Sequence, residues 1–144
     1  MRFRVAKDYV WFGTIPDCTG ALAQKLAALH AGGLDLEMIL ARRDWSGVGF
    51  LFVSPLRTEE EIQAAQQAGL SIADSFQAVR VEGPNVRGIA ARITTALAQA
   101  GLSIRGYWAA ALGDQHVTNI AFDSREDVDR AVEVLTRTLA DDAA

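Results

Sequence analysis

The chain has 144 residues, half of them hydrophobic and 22% charged, a composition that fills a core and excludes disordered and fibrous classes. Lys plus Arg number 14 against 18 Asp plus Glu, a net charge of -4 with no basic run, which excludes a nucleic-acid footprint. The longest apolar runs, 48–53 and 107–112, are strand-sized, so no membrane-spanning segment is expected.

Residues 1–8 carry charges throughout and the apolar stretch after them is short, so neither a signal peptide nor an anchor is expected there. The lone cysteine, Cys18, leaves no intrachain disulfide, and no CxxC pair or Cys/His cluster exists to hold zinc. A reducing cytoplasm fits best. Residues 9–15 are rich in aromatic and branched side chains, as a strand is, and Pro16 stops them. Leu22, Leu26 and Leu29 form the stripe of an amphipathic helix that Gly32 and Gly33 end. Leu34, Leu36, Met38 and Leu40 alternate with Asp35 and Glu37, which predicts a half-buried strand, followed by a turn at 44–47 and a second strand at 48–53. Phe50 and Phe52 are expected in the core. Thr58 and Glu61 predict a capping box for a helix carrying Ile62, Ala65 and Ala68, and after Gly69 residues 70–74 read as a short strand.

The remainder replays this order: strand 76–82, helix 88–100, strand 102–112, turn 113–115 and strand 116–122. A last helix starts at Ser124, with Asp127 in the capping-box position and Val128, Ala131, Val132, Leu135 and Leu139 on one face. Tyr107 and Trp108, adjacent on a strand, point to opposite faces, and whichever points away from the helices needs cover from a second sheet or subunit, as does Ile39.

The replay is a sequence repeat. At an offset of 68, Gly20, Ala23, Ala28, Leu29, Gly33 and Leu34 match Gly88, Ala91, Ala96, Leu97, Gly101 and Leu102. The expected fold class is therefore α+β, two tandem ferredoxin-like βαββαβ modules with antiparallel sheets, at 1–75 and 76–144. Residues 141–144 are too short and polar for a fourth strand, so the second module lacks its own. Residues 1–6, which alternate Phe3 and Val5 with Arg2 and Arg4, are expected in that vacant edge position; the alternative is that 1–15 form one long strand of the first repeat.

Each repeat has a strand ending in a short polar loop, a glycine opening a helix, and a small polar residue in an apolar triplet fifteen positions later. These are Asp17, Cys18, Thr19 and Gly20 with Leu34, Asp35 and Leu36, then Asn85, Val86, Arg87 and Gly88 with Leu102, Ser103 and Ile104. The pattern resembles the ACT domain, the small-molecule-sensing module of many amino-acid enzymes, over nearly the whole chain. Thr19 and Arg87 stand where that family usually has proline. The resemblance implies a stand-alone, non-catalytic regulatory protein without cofactor, binding an amino acid or similar small carboxylate. It also implies a homodimer, with a further protein partner to receive the signal.

Helix starts have amide N–H groups without internal partners and about half a positive charge from the peptide dipoles, which suits a carboxylate. Gly20 and Gly88 allow close approach, and Asp17 and Asn85 are expected as N-cap-like residues. Asp35 is an anionic candidate for the ligand's ammonium group, whereas Ser103 offers only a hydroxyl, so the first site should suit an amino acid better than the second. His30 and His116 lack ligand spacing, and Cys18 lacks a histidine partner. A ligand-free dimerisation module stays open. So does an acylphosphatase-like hydrolase using Arg87 and Asn85. An RNA-binding sheet would need basic charge among the aromatics of 9–15 and 48–53, which is absent.

Overall fold

A computed structural model describes residues 2–140, and of residues 72–76 the main chain only. The elements run β1 (Arg4–Ile15), α1 (Ala21–Ala31), β2 (Met38–Arg43), β3 (Gly49–Ser54), α2 (Glu59–Gln67), β4 (Ser71–Pro84), α3 (Ile89–Gln99), β5 (Gly106–Leu112), β6 (Gln115–Ala121) and α4 (Arg125–Ala140). Hydrogen-bonded strand neighbours follow the order β2-β3-β1-β4-β6-β5. This is the α+β class expected. No described helix is long and apolar enough to cross a membrane.

The described residues form two compact units, 9–73 on the one hand and 2–8 with 74–140 on the other. In the unit 9–73, β3 pairs antiparallel with β1, Trp11 opposite Val53 and Ile15 opposite Gly49, and with β2, Met38 opposite Ser54 and Arg43 opposite Gly49. Trp11, Leu29, Leu34, Leu51, Val53, Ala65 and Leu70 make its core, with Leu26 and Ile62 packed against them. The capping box forms as expected: Glu61 N donates to Thr58 Oγ1 at 3.1 Å and Thr58 N to the Glu61 carboxylate at 3.2 Å. Strand alternation sends Leu51 and Val53 into this core, so Phe50 and Phe52 fall on the other face. They are half-buried there beside Phe12, with ring centroids 5.6 and 5.3 Å away, rather than in the core expected for them.

In the other unit, β6 pairs with β4 and with β5, and Phe3, Val79, Val81, Ile120 and Phe122 pack against Ile93 and Leu97 of α3 and Leu135 and Leu139 of α4. Tyr107 packs on this core, which makes Trp108 the residue on the opposite face. The buried Tyr107 hydroxyl and Trp108 Nε1 have no hydrogen-bond partner among the described residues.

Both readings of the N-terminus hold in part. β1 is one continuous strand, yet its residues up to Asp8 group with the second repeat. Phe3 is buried in that repeat's core, Asn119 Nδ2 donates to the Asp8 carboxylate at 3.0 Å, and β1 neighbours β4. The segment thus belongs with the second repeat and lies on the strand beside β4. Likewise 70–74 and 76–82, expected as two strands, are one strand, β4, with no glycine or proline between them to break it. Residues 141–144 lie outside the described residues.

Two strands begin later than expected, β2 at Met38 rather than Leu34 and β5 at Gly106 rather than Leu102. In each case the amide after the helix-ending glycine turns back to the helix: Leu34 N donates to Leu29 O at 3.2 Å and Leu102 N to Leu97 O at 3.0 Å. For β2 the partner strand also runs out, since Pro55 after Ser54 has no N–H. Asp35 and Ser103 therefore lie in exposed connections, not on strands.

Candidate functional site

The two helix starts repeat each other bond for bond at the 68-residue offset. Gly20 and Gly88 are the N-cap residues, left-handed at φ 89° and 82°, and neither helix has a side-chain cap. Ala21 N donates to Cys18 O at 3.2 Å and Gln24 N to Gly20 O at 2.9 Å; Ile89 N donates to Val86 O at 3.1 Å and Arg92 N to Gly88 O at 3.0 Å. The amides of Leu22, Ala23, Ala90 and Ala91 have no partner among the described residues. The N-cap role expected for Asp17 and Asn85 is thus corrected. Three residues upstream of the glycines, they sit before the turn that the glycine closes. Asp17 Oδ1 instead accepts from Arg43 Nη1 at 2.9 Å, and the main chain of Asn85 donates to Asp114 O at 2.7 Å.

Beside α1 the chain leaves a cleft of about 280 Å³, whose wall includes Asp17, Cys18, Gly20, Leu22, Arg42 and Arg43. Its shape follows from the register. Arg43, Gly49 and Ile15 stand in one row across β2, β3 and β1, and a Cβ at Gly49 would come within 2.5 Å of Ile15 Cγ1. Pro16 and the loop to Gly20 then carry the chain from the end of this row to the first turn of α1. A Cβ at Gly20 would meet nothing within 4 Å, so its main chain is open to an incoming molecule.

The turn from β2 to β3 closes on the same loop, because a Cβ at Gly47 would stand 3.3 Å from Asp17 Oδ2. Asp44 holds that turn: its Oδ1 accepts from Ser46 N at 2.9 Å, from the Ser46 hydroxyl, and from Val48 N at 3.2 Å. The Ser46 hydroxyl bond, chiefly, holds the Asp44 carboxyl below its ordinary value, with the Ser46 and Val48 amides and the Arg42 charge adding and partial desolvation opposing. Trp45 at the turn is fully exposed.

Asp17, Cys18 and Gly20 are therefore brought together at one cleft. Thr19 is exposed in the same loop without lining it, and Asp35 is exposed and apart from its wall. Arg42 and Arg43 were not singled out by sequence. Their signal was weak, two cations at the end of an alternating strand, and it becomes meaningful only when β3 lies between β2 and β1. In the second repeat Val86 packs on the core while Asn85, Arg87, Gly88 and Ser103 are exposed. There the register equivalents of Arg42 and Arg43 are Ala110 and Ala111, and Asn85 replaces Asp17. In the first repeat Asp17, Arg42 and Arg43 share a cleft with the open helix start. Among the described residues no group of three His, Cys, Asp or Glu could hold a metal.

No protein-family model matches the chain, and no curated protein matches it in sequence. Solved structures do match in fold. Protein BT0572 from Bacteroides thetaiotaomicron superposes with a TM-score of 0.75 over 95% of this chain and 90% of its own, at 19% identity. The ligand-free regulatory subunit of aspartate kinase from Thermus thermophilus does so at 0.65, over 94% and 95%, with 18% identity. The chain has the fold of this aspartate kinase regulatory subunit. The regulatory subunit of aspartate kinase from Thermus flavus shares it at 0.60, over 96% and 97%, again at 18% identity. These likenesses run nearly the length of the chain.

Proposed function

We propose that this protein is a non-catalytic regulatory protein built from two ACT-like modules, 1–75 and 76–144, and that it binds an amino acid or similar small carboxylate at the cleft beside α1. One observation carries the reading: uncapped amides of a helix start and two guanidinium groups share a single cleft. The ligand carboxylate takes the amides of Leu22 and Ala23, where unpaired donors and the helix dipole favour an anion. Asp17, rather than Asp35, takes the ammonium group, since it already lines the cleft. Arg43 holds Asp17 in place, and Arg42 adds positive charge for the carboxylate. Asn85, Val86, Arg87, Gly88 and Ser103 form the corresponding second site, weaker because Ala110 and Ala111 supply no charge.

ACT-type neighbours that are regulatory subunits support the regulatory part of this reading. The output passes to a protein partner in the cytoplasm or through the oligomeric state of a homodimer. Binding that favours one assembly over another is a coupling free energy, and it is reciprocal.

The test is a thermal-shift screen of the common amino acids. At least one raises the melting temperature of the wild-type chain by mass action, and Asp17→Ala with Arg42→Ala abolishes that rise while Asn85→Ala leaves it. A chain that no amino acid stabilises is the ligand-free dimerisation module instead.

A further inference from the structure

The wall of the cleft beside α1 is richer in positive charge than the chain around it. The chain as a whole carries a net charge of -4, yet the wall takes in Arg42 and Arg43 against the single carboxylate of Asp17. Asp44, the next carboxylate along the chain, stands outside the wall, and its Oδ1 is taken by Ser46 and Val48. Arg43 lies in register with Gly49 and Ile15, on the face where Ile15 packs against the core. Gly49 has no side chain to fill the floor between them. The Arg43 guanidinium gives Nη1 to Asp17 and makes no other hydrogen bond among the described residues. Its Nε and Nη2 are left uncommitted, parallel N–H groups spaced for both oxygens of a carboxylate.

We propose that the molecule bound beside α1 is a dicarboxylic amino acid, whose side-chain carboxylate takes the free edge of Arg43. The inference rests on the reading above that this cleft binds an amino acid, and it names the class. A neutral amino acid brings one carboxylate and one ammonium group, which the α1 amides and Asp17 already answer. It leaves two cations of the wall against one anion. A second carboxylate on the ligand balances that excess, whereas a cationic amino acid adds like charge and is disfavoured. Arg43, on the α1 face, supplies the bonds, and Arg42, next to it on the strand, adds charge. Because the guanidinium has donors beyond the one given to Asp17, ligand and Asp17 can share Arg43 without breaking their tie. A cleft of about 280 Å³ falls just below the range of about 300–1,000 Å³ usual for drug-sized ligands, which limits the occupant to a small molecule.

Isothermal titration calorimetry of the full chain with L-glutamate, L-aspartate and their amides, L-glutamine and L-asparagine, tests the class. Each amide matches its acid in shape and lacks the charge. At least one acid binds about tenfold or more tightly than its own amide, a difference of about 1.4 kcal/mol. Arg43→Gln brings that acid down to the affinity of its amide and lowers the amide's affinity far less, whereas a merely structural loss weakens both alike. A second measurement needs no variant. As ionic strength rises from about 0.01 M to 1 M the Debye length shrinks from about 30 Å to 3 Å, so the wild-type preference for the acid narrows. Equal affinity for acid and amide, a preference that salt does not move, or one that survives Arg43→Gln would overturn the proposal and leave the amino-acid reading intact. So would a chain that binds some other amino acid and neither acid. A chain that binds no amino acid overturns both.

Discussion

Arg43 Nη1 donates to Asp17 Oδ1 at 2.9 Å, tying the last residue of β2 to the loop that opens α1. Both side chains are about half exposed, and such surface pairs contribute roughly 0–1 kcal/mol. Asp17→Asn therefore changes the urea midpoint little. In the proposed site it removes the anion opposite the ligand's ammonium group, so the ligand-induced rise in melting temperature disappears while stability without ligand stays near wild type. A rise that survives Asp17→Asn would count against the ammonium role.

The αL conformation of Gly20 and Gly88 predicts a matched pair of substitutions. Alanine at either position is strained by about 1–2 kcal/mol, because Cβ crowds the adjacent carbonyl at positive φ. Gly20→Ala and Gly88→Ala should therefore lower the urea midpoint by similar amounts. Only Gly20→Ala should also weaken the ligand response, since its added methyl enters the charged cleft.

Phe3 covers Gly83 so closely that a Cβ there would lie 2.3 Å from the ring. Phe3→Ala leaves a cavity in the core of the second repeat and should cost about 3–5 kcal/mol. Gly83→Ala overpacks the same place, at roughly 1–3 kcal/mol. Hydrogen exchange after Phe3→Ala should show protection lost in α3 and α4, the helices in Phe3's own core. Loss confined to α1 and α2 would contradict the placement of the N-terminal segment.

His116 is buried on β6 beside the Thr118 hydroxyl, 3.3 Å from Nδ1, and burial lowers its pKa below the ordinary 6.5. The unfolded chain then binds the proton first, so stability is full above about pH 6.5. It declines as the pH falls through that value and levels off below the folded pKa. Urea midpoints across this range should show the decline in the wild type and a flatter profile in His116→Gln.

Much of this was legible in local pattern. The glycine-led helices, the Thr58 capping box and the paired hairpins follow from period, caps and turns, which act within a few residues. The repeat made the two helix starts comparable before their hydrogen bonds could be seen to coincide. Other features were less legible. Asp35 lies on an alternating stretch, yet it falls outside β2 because Leu34 N is taken by the helix and Pro55 has no donor to offer.

By itself the chain determined its α+β class and its internal repeat, since both are written in hydrophobic period and residue spacing. Only the tertiary structure decided that β1 and β4 each run on through both repeats, and that Arg42 and Arg43 reach the loop before α1. Those outcomes depend on strand neighbours and register between residues far apart in sequence, where no local preference chooses and the burial of Phe3, Leu51 and Val53 does.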